Sequence, residues 1–434
     1  MSDSSRGNPL ARIVKAATKV EPNEFKATLV SFAFVFCLMA AYYIMRPVRD
    51  ALSSDWTDEQ LSWLWTSTFF FSAIAVSIYG GVISRIRFKI MVPSVYAFFA
   101  STFIGFYVVG NTIGENDLVN RAFYVWLSVF SLFHLSVFWS FMSGIYNKEQ
   151  AKRTFSVIAV GATLGAIVGP SIPTFFADDI GALNLLLIGA LLLLAPIPLI
   201  GVLERLRTEE LGNADAQERV AGKKPLSANP FSGFASFATN PYLLAVGLFI
   251  LLYVSMNTFI YFELRDALGE FERDVRTQYW GGIDLAVNLL AGVTALFATG
   301  RLATRAGMSV TLALIPLLMV VGWLVVAMSP VLIVLVGLQV TRRAGNYAIT
   351  RPGREMLFTI VDADARFKAK PVIDTVVYRG GDVLTAWAYT GITATLGIGL
   401  AGVAVLSAVI CAAWAVVALF LGRSYDGSAE PESI

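Results

Sequence analysis

The chain of 434 residues is divided into long apolar runs separated by short polar turns, and this pattern limits its fold more than any motif does. A helix needs about 20 mostly apolar residues to cross the hydrocarbon layer of a membrane. Six runs meet that length at 27–47, 61–83, 90–110, 123–146, 154–176 and 182–203. Six more follow at 242–263, 278–300, 308–328, 331–356, 371–395 and 398–421, the last two nearly continuous through Gly397-Ile398-Gly399. Composition agrees, since 56% apolar and 15% charged residues lie well outside the balance of a soluble domain. The expected fold is all-α, a polytopic membrane protein with twelve transmembrane helices and the lipid bilayer as its surroundings.

The first run follows a polar leader, residues 1–26, whose length and charge do not suit a cleaved signal peptide, so that run is expected to stay as a span. Basic residues gather in the leader, in the turns after the second, fourth, eighth and tenth runs, and in segment 204–241. Lys and Arg are retained on the cytoplasmic side. Both termini are therefore expected to be cytoplasmic, in the inner membrane of the cell. With 33 basic and 31 acidic residues the charges nearly balance, and a net charge of +2 gives no argument for nucleic acid.

Segment 204–241 is the long polar interruption, and it divides the spans six and six. The expected organisation is a leader at 1–26, a six-helix half at 27–203, a linker at 204–241, a second half at 242–421 and a tail at 422–434. The halves echo each other: Arg49-Asp50-Ala51-Leu52 recurs as Arg265-Asp266-Ala267-Leu268, an offset of 216 residues. Arg85 and Arg301, each in the turn after the second span of its half, share that offset. Two six-helix halves with such turns resemble the major facilitator plan of secondary transporters. The turn Gly81-Val82-Ile83-Ser84-Arg85 is similar to the start of that family's G-x-x-x-D-R-x-G-R-K, with Ser84 at the Asp position.

Ionisable groups inside spans cost about 3 kcal/mol each on insertion scales and normally face a partner or a wet cavity. Arg46, Arg49 and Asp50 share a face of the first span, with an Arg46 to Asp50 contact in reach. Glu263 and Asp266 share a face of the seventh, beside Arg265. Arg342 and Arg343 lie mid-way along the tenth, with Asn346, Thr350 and Arg354 following Arg342 at four-residue steps. Asp374, Tyr378 and Asp382 form a stripe on the eleventh, with Arg379 adjacent, and Asp284 stands in the eighth. Two neighbouring guanidiniums with no nearby acid on their own helix need either an anion or an acid from another helix. Arginine holds carboxylate and phosphate in bidentate fashion, so a small anionic solute is the expected partner.

The expected substrate-binding residues are Arg46, Arg49, Arg342, Arg343 and Asn346. Gate or coupling roles fall to Asp50, Glu263, Arg265, Asp266, Asp284, Asp374, Arg379 and Asp382. Ion pairs that only lock helices together remain the alternative for the charges on spans one and seven. His134 reads as a packed histidine, and Gly161-x3-Gly165-x3-Gly169-Pro170 as a surface for close helix packing, with some likeness to an antiporter G-x-x-x-G-P element.

No phosphate-binding P-loop, nucleophile motif or metal-spaced His and Cys cluster occurs, so no enzyme, cofactor or metal is expected. Cys37 and Cys411 both fall in apolar runs. The G-x-G-x-x-G at Gly397–Gly402 lies in apolar sequence without a strand before it and is not a dinucleotide site.

Four segments carry a nearer resemblance. Ile44-Met45-Arg46-Pro47-Val48-Arg49-Asp50 resembles the I-L-R-D-x-K-D stretch of the ATP/ADP translocases, and Glu149-Gln150-Ala151-Lys152-Arg153 is similar to their E-A-K-R. Tyr347–Met356 resembles Y-x-L-F-D-P-x-K-E-M, and Lys370–Asp374 with Arg379 resembles K-A-A-I-D-V-V-x-x-R. The resemblance implies nucleotide exchange by antiport; the sequence leaves the oligomeric state open, with a monomer as the expectation. The chain departs from that family at Ser143-Gly144, where Asn-Glu is usual, and at Asp382, where a Lys is usual. Proton-coupled transport of another organic anion or a drug-like solute, and a receptor that kept the fold without turnover, stay open beside it.

Overall fold

The computed structural model describes residues 20–83, 88–213, 232–297, 306–361, 369–370 and 372–429. Arg85, Arg301, Pro371, most of the leader and the middle of the linker lie outside the described residues. Every described element is helical. In chain order they are α1 (Phe25–Leu52), α2 (Asp58–Ile83), α3 (Phe88–Ile113), α4 (Asp117–Ile145), α5 (Lys148–Ile180), α6 (Ala182–Leu192) and α7 (Pro196–Glu209). After the linker come α8 (Ser232–Thr239), α9 (Pro241–Leu268), α10 (Arg273–Phe297), α11 (Gly307–Met328), α12 (Leu332–Gly345), α13 (Arg351–Leu357), α14 (Tyr378–Thr390) and α15 (Leu400–Ala429).

Described helical residues fall within each of the twelve expected spans, and among the described residues nine helices are long and apolar enough to cross a membrane. The other three are α10, the α12–α13 stretch and α14 with its flanks, which are also where intramembrane charge is concentrated. Three π-helical turns interrupt two of them, at Asn346–Thr350, Val372–Val377 and Gly391–Thr395. The sixth span is two helices, because Pro196 and Pro198 supply no amide hydrogen and the chain turns at Leu193–Ala195 before α7. The eleventh and twelfth spans, nearly continuous in sequence, are separated at Gly397, whose φ of 66° is open to glycine at little cost.

Helix starts follow local chemistry. Asn147 caps α5 by accepting from the amides of Glu149 and Gln150, and the Gln150 side chain returns the bond to the Asn147 amide. Asn240 caps α9 by accepting from the amides of Tyr242 and Leu243, ahead of Pro241, whose missing amide hydrogen has no partner to lose at that position.

The chain forms two compact units. The first comprises residues 1–49, 71–225 and 277–282, and the second residues 50–70, 226–276 and 283–434. In the first, α3 packs on α4, α6 and α7. There α5 lies against α1 with backbone on backbone: a Cβ added at Gly161 would meet the Phe32 carbonyl oxygen at 2.7 Å, and one at Gly169 the Ala40 carbonyl oxygen at 2.7 Å. Gly165, between them, faces the Phe36 carbonyl. The glycine ladder is therefore a packing surface. In the second unit α11 lies along α15, with Gly422 against the Ser309 backbone, and α9 packs on α12, α14 and α15.

Candidate functional site

Among the described residues some buried charges meet an opposite charge at close range, whereas Arg342 is hydrogen-bonded to neutral groups. Arg343 reaches across to α10, where its Nη2 stands 2.6 Å from Asp284 Oδ1, both side chains almost fully buried. The acid from another helix that the paired guanidiniums required is thus present for Arg343. Removing two charges from water is repaid only when they meet each other, which accounts for an aspartate deep in α10.

Arg342, one residue earlier and 1% exposed, has a different environment. Its Nη2 and Nε donate to Gln339 Oε1 at 2.9 and 3.3 Å, and its Nη1 donates to the Tyr253 hydroxyl at 3.1 Å. The guanidinium carbon sits 5.5 Å from the centre of the Tyr253 ring. These partners are neutral, so they orient the cation without cancelling it. Trp414 and Tyr378 flank Tyr253, with ring centres 5.8 and 6.3 Å away.

Immediately after Arg342 and Arg343 the helix widens into its first π turn. Such turns are rare and concentrate at functional sites. On an α-helix a four-residue step drifts by about 40°. The wider turn takes up an extra residue and cancels much of that drift, so Arg342, Asn346, Thr350 and Arg354 keep closer to one face than an unbroken α-helix would hold them. Beyond it, Arg354 approaches Asp374 at 3.5 Å and Glu355 at 3.4 Å, and Lys370 pairs with Glu355. Asp374 and Asp382, expected on one stripe, have different partners, since Asp382 Oδ2 lies 3.8 Å from Arg379.

A second cluster surrounds Arg265, which is 2% exposed. It donates to the Ser53 and Trp56 carbonyls, pairs with Asp58 and stands 3.0 Å from Asp266. Thr393 donates to Asp58 at 2.6 Å, and the exposed Asp55 takes Arg273 and Arg276 at 2.8 and 2.5 Å. Glu263 accepts from Tyr389 at 2.9 Å, and Asp50 from Tyr261 at 3.2 Å. This cluster fastens the turn after α1 to the end of α9 and engages both terminal nitrogens of Arg265, while its buried Nε has no hydrogen-bond partner among the described residues.

In the first unit Arg46 lies 5.9 Å from the Tyr43 ring centre, and Arg49 lies 5.4 Å from that of Tyr124 while donating to Ser128 at 3.2 Å. His134 stacks on Tyr42 at 4.6 Å with its Nδ1 2.9 Å from the Ser131 carbonyl, as a packed histidine would. The sequence reading had missed Tyr253, Gln339, Asp58 and Tyr389. An apolar run disguises the two tyrosines, Gln339 carries no charge, and Asp58 sits in a turn.

The Major Facilitator Superfamily model matches residues 28–349, about three quarters of the chain. The chain belongs to the Major Facilitator Superfamily. No curated protein sequence matches it. Solved superfamily structures agree in fold. A bacterial homologue of the human lysosomal transporter Spinster, in an inward-facing and unoccupied conformation, aligns with a TM-score of 0.59 at 11% identity, over 95% of this chain and 100% of that one. The nucleoside transporter NupG aligns with a TM-score of 0.59 at 12% identity, over 95% and 100%. Identities this low speak for the superfamily's transporter fold and not for a cargo. Membership makes transport, not catalysis, the class of activity.

Proposed function

We propose that this protein is a secondary active transporter that moves an anionic organic solute across the inner membrane by alternating access between two six-helix halves. Arg342 carries the reading: a guanidinium almost wholly removed from water, whose hydrogen bonds among the described residues run only to neutral Gln339 and Tyr253, is suited to receive an anion. Asn346 lies one turn further along, and Arg46 and Arg49 are the cations of the first unit assigned to the same task. Asp284 commits Arg343 to holding α10 and α12 together, so Arg343 would support the receptor more than touch the solute. The Arg265 cluster, with Asp50, Glu263 and Asp266, would act as a latch, and Asp374, Arg379 and Asp382 as coupling groups.

Nucleotide exchange is the specific form suggested by the four segments that resemble the ATP/ADP translocases. Uptake of radiolabelled ATP and ADP into membrane vesicles, with and without the opposing nucleotide inside, tests it directly. Counterflow stimulation supports exchange, and uptake that stops when the proton gradient is collapsed supports proton coupling instead. In either case Arg342→Gln should lower uptake at least about tenfold, the worth of one charge-assisted hydrogen bond. Wild-type rates in that variant would end the assignment of Arg342.

A further inference from the structure

Beside Arg342 the second unit holds a carboxylate that an anion receptor alone does not need. Asp382 follows Gly381 on α14, and a Cβ at Gly381 would meet Leu251 Cδ1 at 3.2 Å and Val254 Cγ1 at 3.4 Å. This close approach sets α14 on the stretch of α9 between Leu251 and Val254 that contains Tyr253, the residue that hydrogen-bonds Arg342, and Asp382 is the next residue along α14. One turn further along the same two helices, Thr258 and Thr385 share a hydrogen bond of 2.7 Å.

The carboxylate is incompletely used. Its Oδ2 is 3.8 Å from Arg379, beyond hydrogen-bond reach, and its Oδ1 is buried with no protein hydrogen-bond partner among the described residues. The charges of both Arg379 and Arg342 act on it. A buried carboxylate oxygen without a donor is costly, and a ligand donor would recover that cost.

We propose that the transported solute carries two recognition groups: an anionic group for Arg342 and an N–H donor, such as an ammonium or amino group, for Oδ1 of Asp382. The proposal rests on the anion reading of Arg342 and narrows it. The rings of Tyr253 and Tyr378 beside both groups favour a flat or apolar body. Asp382 repels a second negative charge on the solute, so within this unit a bare polyanion is the poorer ligand.

Matched pairs that differ only in the nitrogen test this: L-phenylalanine against 3-phenylpropionate for a carboxylate, and phosphoethanolamine against ethyl phosphate for a phosphate. ATP serves as the polyanion. Binding is measured by titration calorimetry on the full chain in lipid nanodiscs. In at least one pair the nitrogen-bearing member should bind at least about tenfold tighter, a charged hydrogen bond's worth. Asp382→Asn should erase that difference, Asp382→Glu should retain part of it, and Arg342→Gln should abolish binding of both members. The wild-type comparison needs no variant to fold. Equal binding within both pairs, a preference that survives Asp382→Asn, or no binding by any of the four compounds overturns the proposal. If ethyl phosphate or ATP still binds in an Arg342-dependent way, the anion reading outlives it; if those fail as well, both fall together.

Discussion

Arg342 and Arg343 are chemically identical neighbours, and the fold gives them opposite tasks. Arg343 has a carboxylate at 2.6 Å, whereas Arg342 has an amide oxygen and a phenol. Breaking one partner of a buried pair costs about 3–5 kcal/mol, because the survivor stays buried and uncompensated. Asp284→Asn should therefore lower the melting temperature of the purified protein markedly. Asp284→Asn combined with Arg343→Gln should recover part of that loss, as a double-mutant cycle on melting temperature would show. Arg342→Gln should instead leave stability nearly unchanged while uptake falls. The charges themselves were legible in sequence, since a guanidinium in an apolar run stands out. Their partners were not, because Asp284 is distant along the chain and Tyr253 reads as one more aromatic in a span.

At the scale of elements, hydropathy located the helices but not their irregularities. The spans could be read because each is an uninterrupted apolar length. The three π turns could not, because they depend on how α12 and α14 pack and not on any residue preference visible at Asn346–Thr350 or Val372–Val377. Inserting an alanine after Ala348 would add a residue beyond the one the first turn absorbs and rotate Arg354 by about 100° away from the Arg342 face. Uptake should then be lost while the helical circular dichroism signal stays within a few percent, on the order of one residue's contribution. The glycine ladder of α5 makes a separate prediction. Gly165→Leu forces a branched side chain against the Phe36 carbonyl. Overpacking of that kind costs about 1–3 kcal/mol, and a lowered melting temperature with reduced yield of folded protein in detergent would register it.

For the whole molecule, the distribution of Lys and Arg makes a claim about sidedness that accessibility can check. Cys37 is partly buried and Cys411 fully buried, so native thiols should give little background. A membrane-impermeant maleimide added to intact cells should label Glu115→Cys, between α3 and α4, and should not label Thr208→Cys, at the end of α7, until the membrane is opened. The reverse pattern would invert the proposed orientation. The contact of α1 with α5 bears on how such a molecule could move. Shear between helices requires something soft in the seam, a layer of side chains able to change rotamer as one surface slides over the other. Where carbonyl oxygens rest directly on bare α-carbons no such lubricant exists, so these two helices should travel as a single plank, and a pair of cysteines cross-linked along their seam would be expected to leave turnover intact.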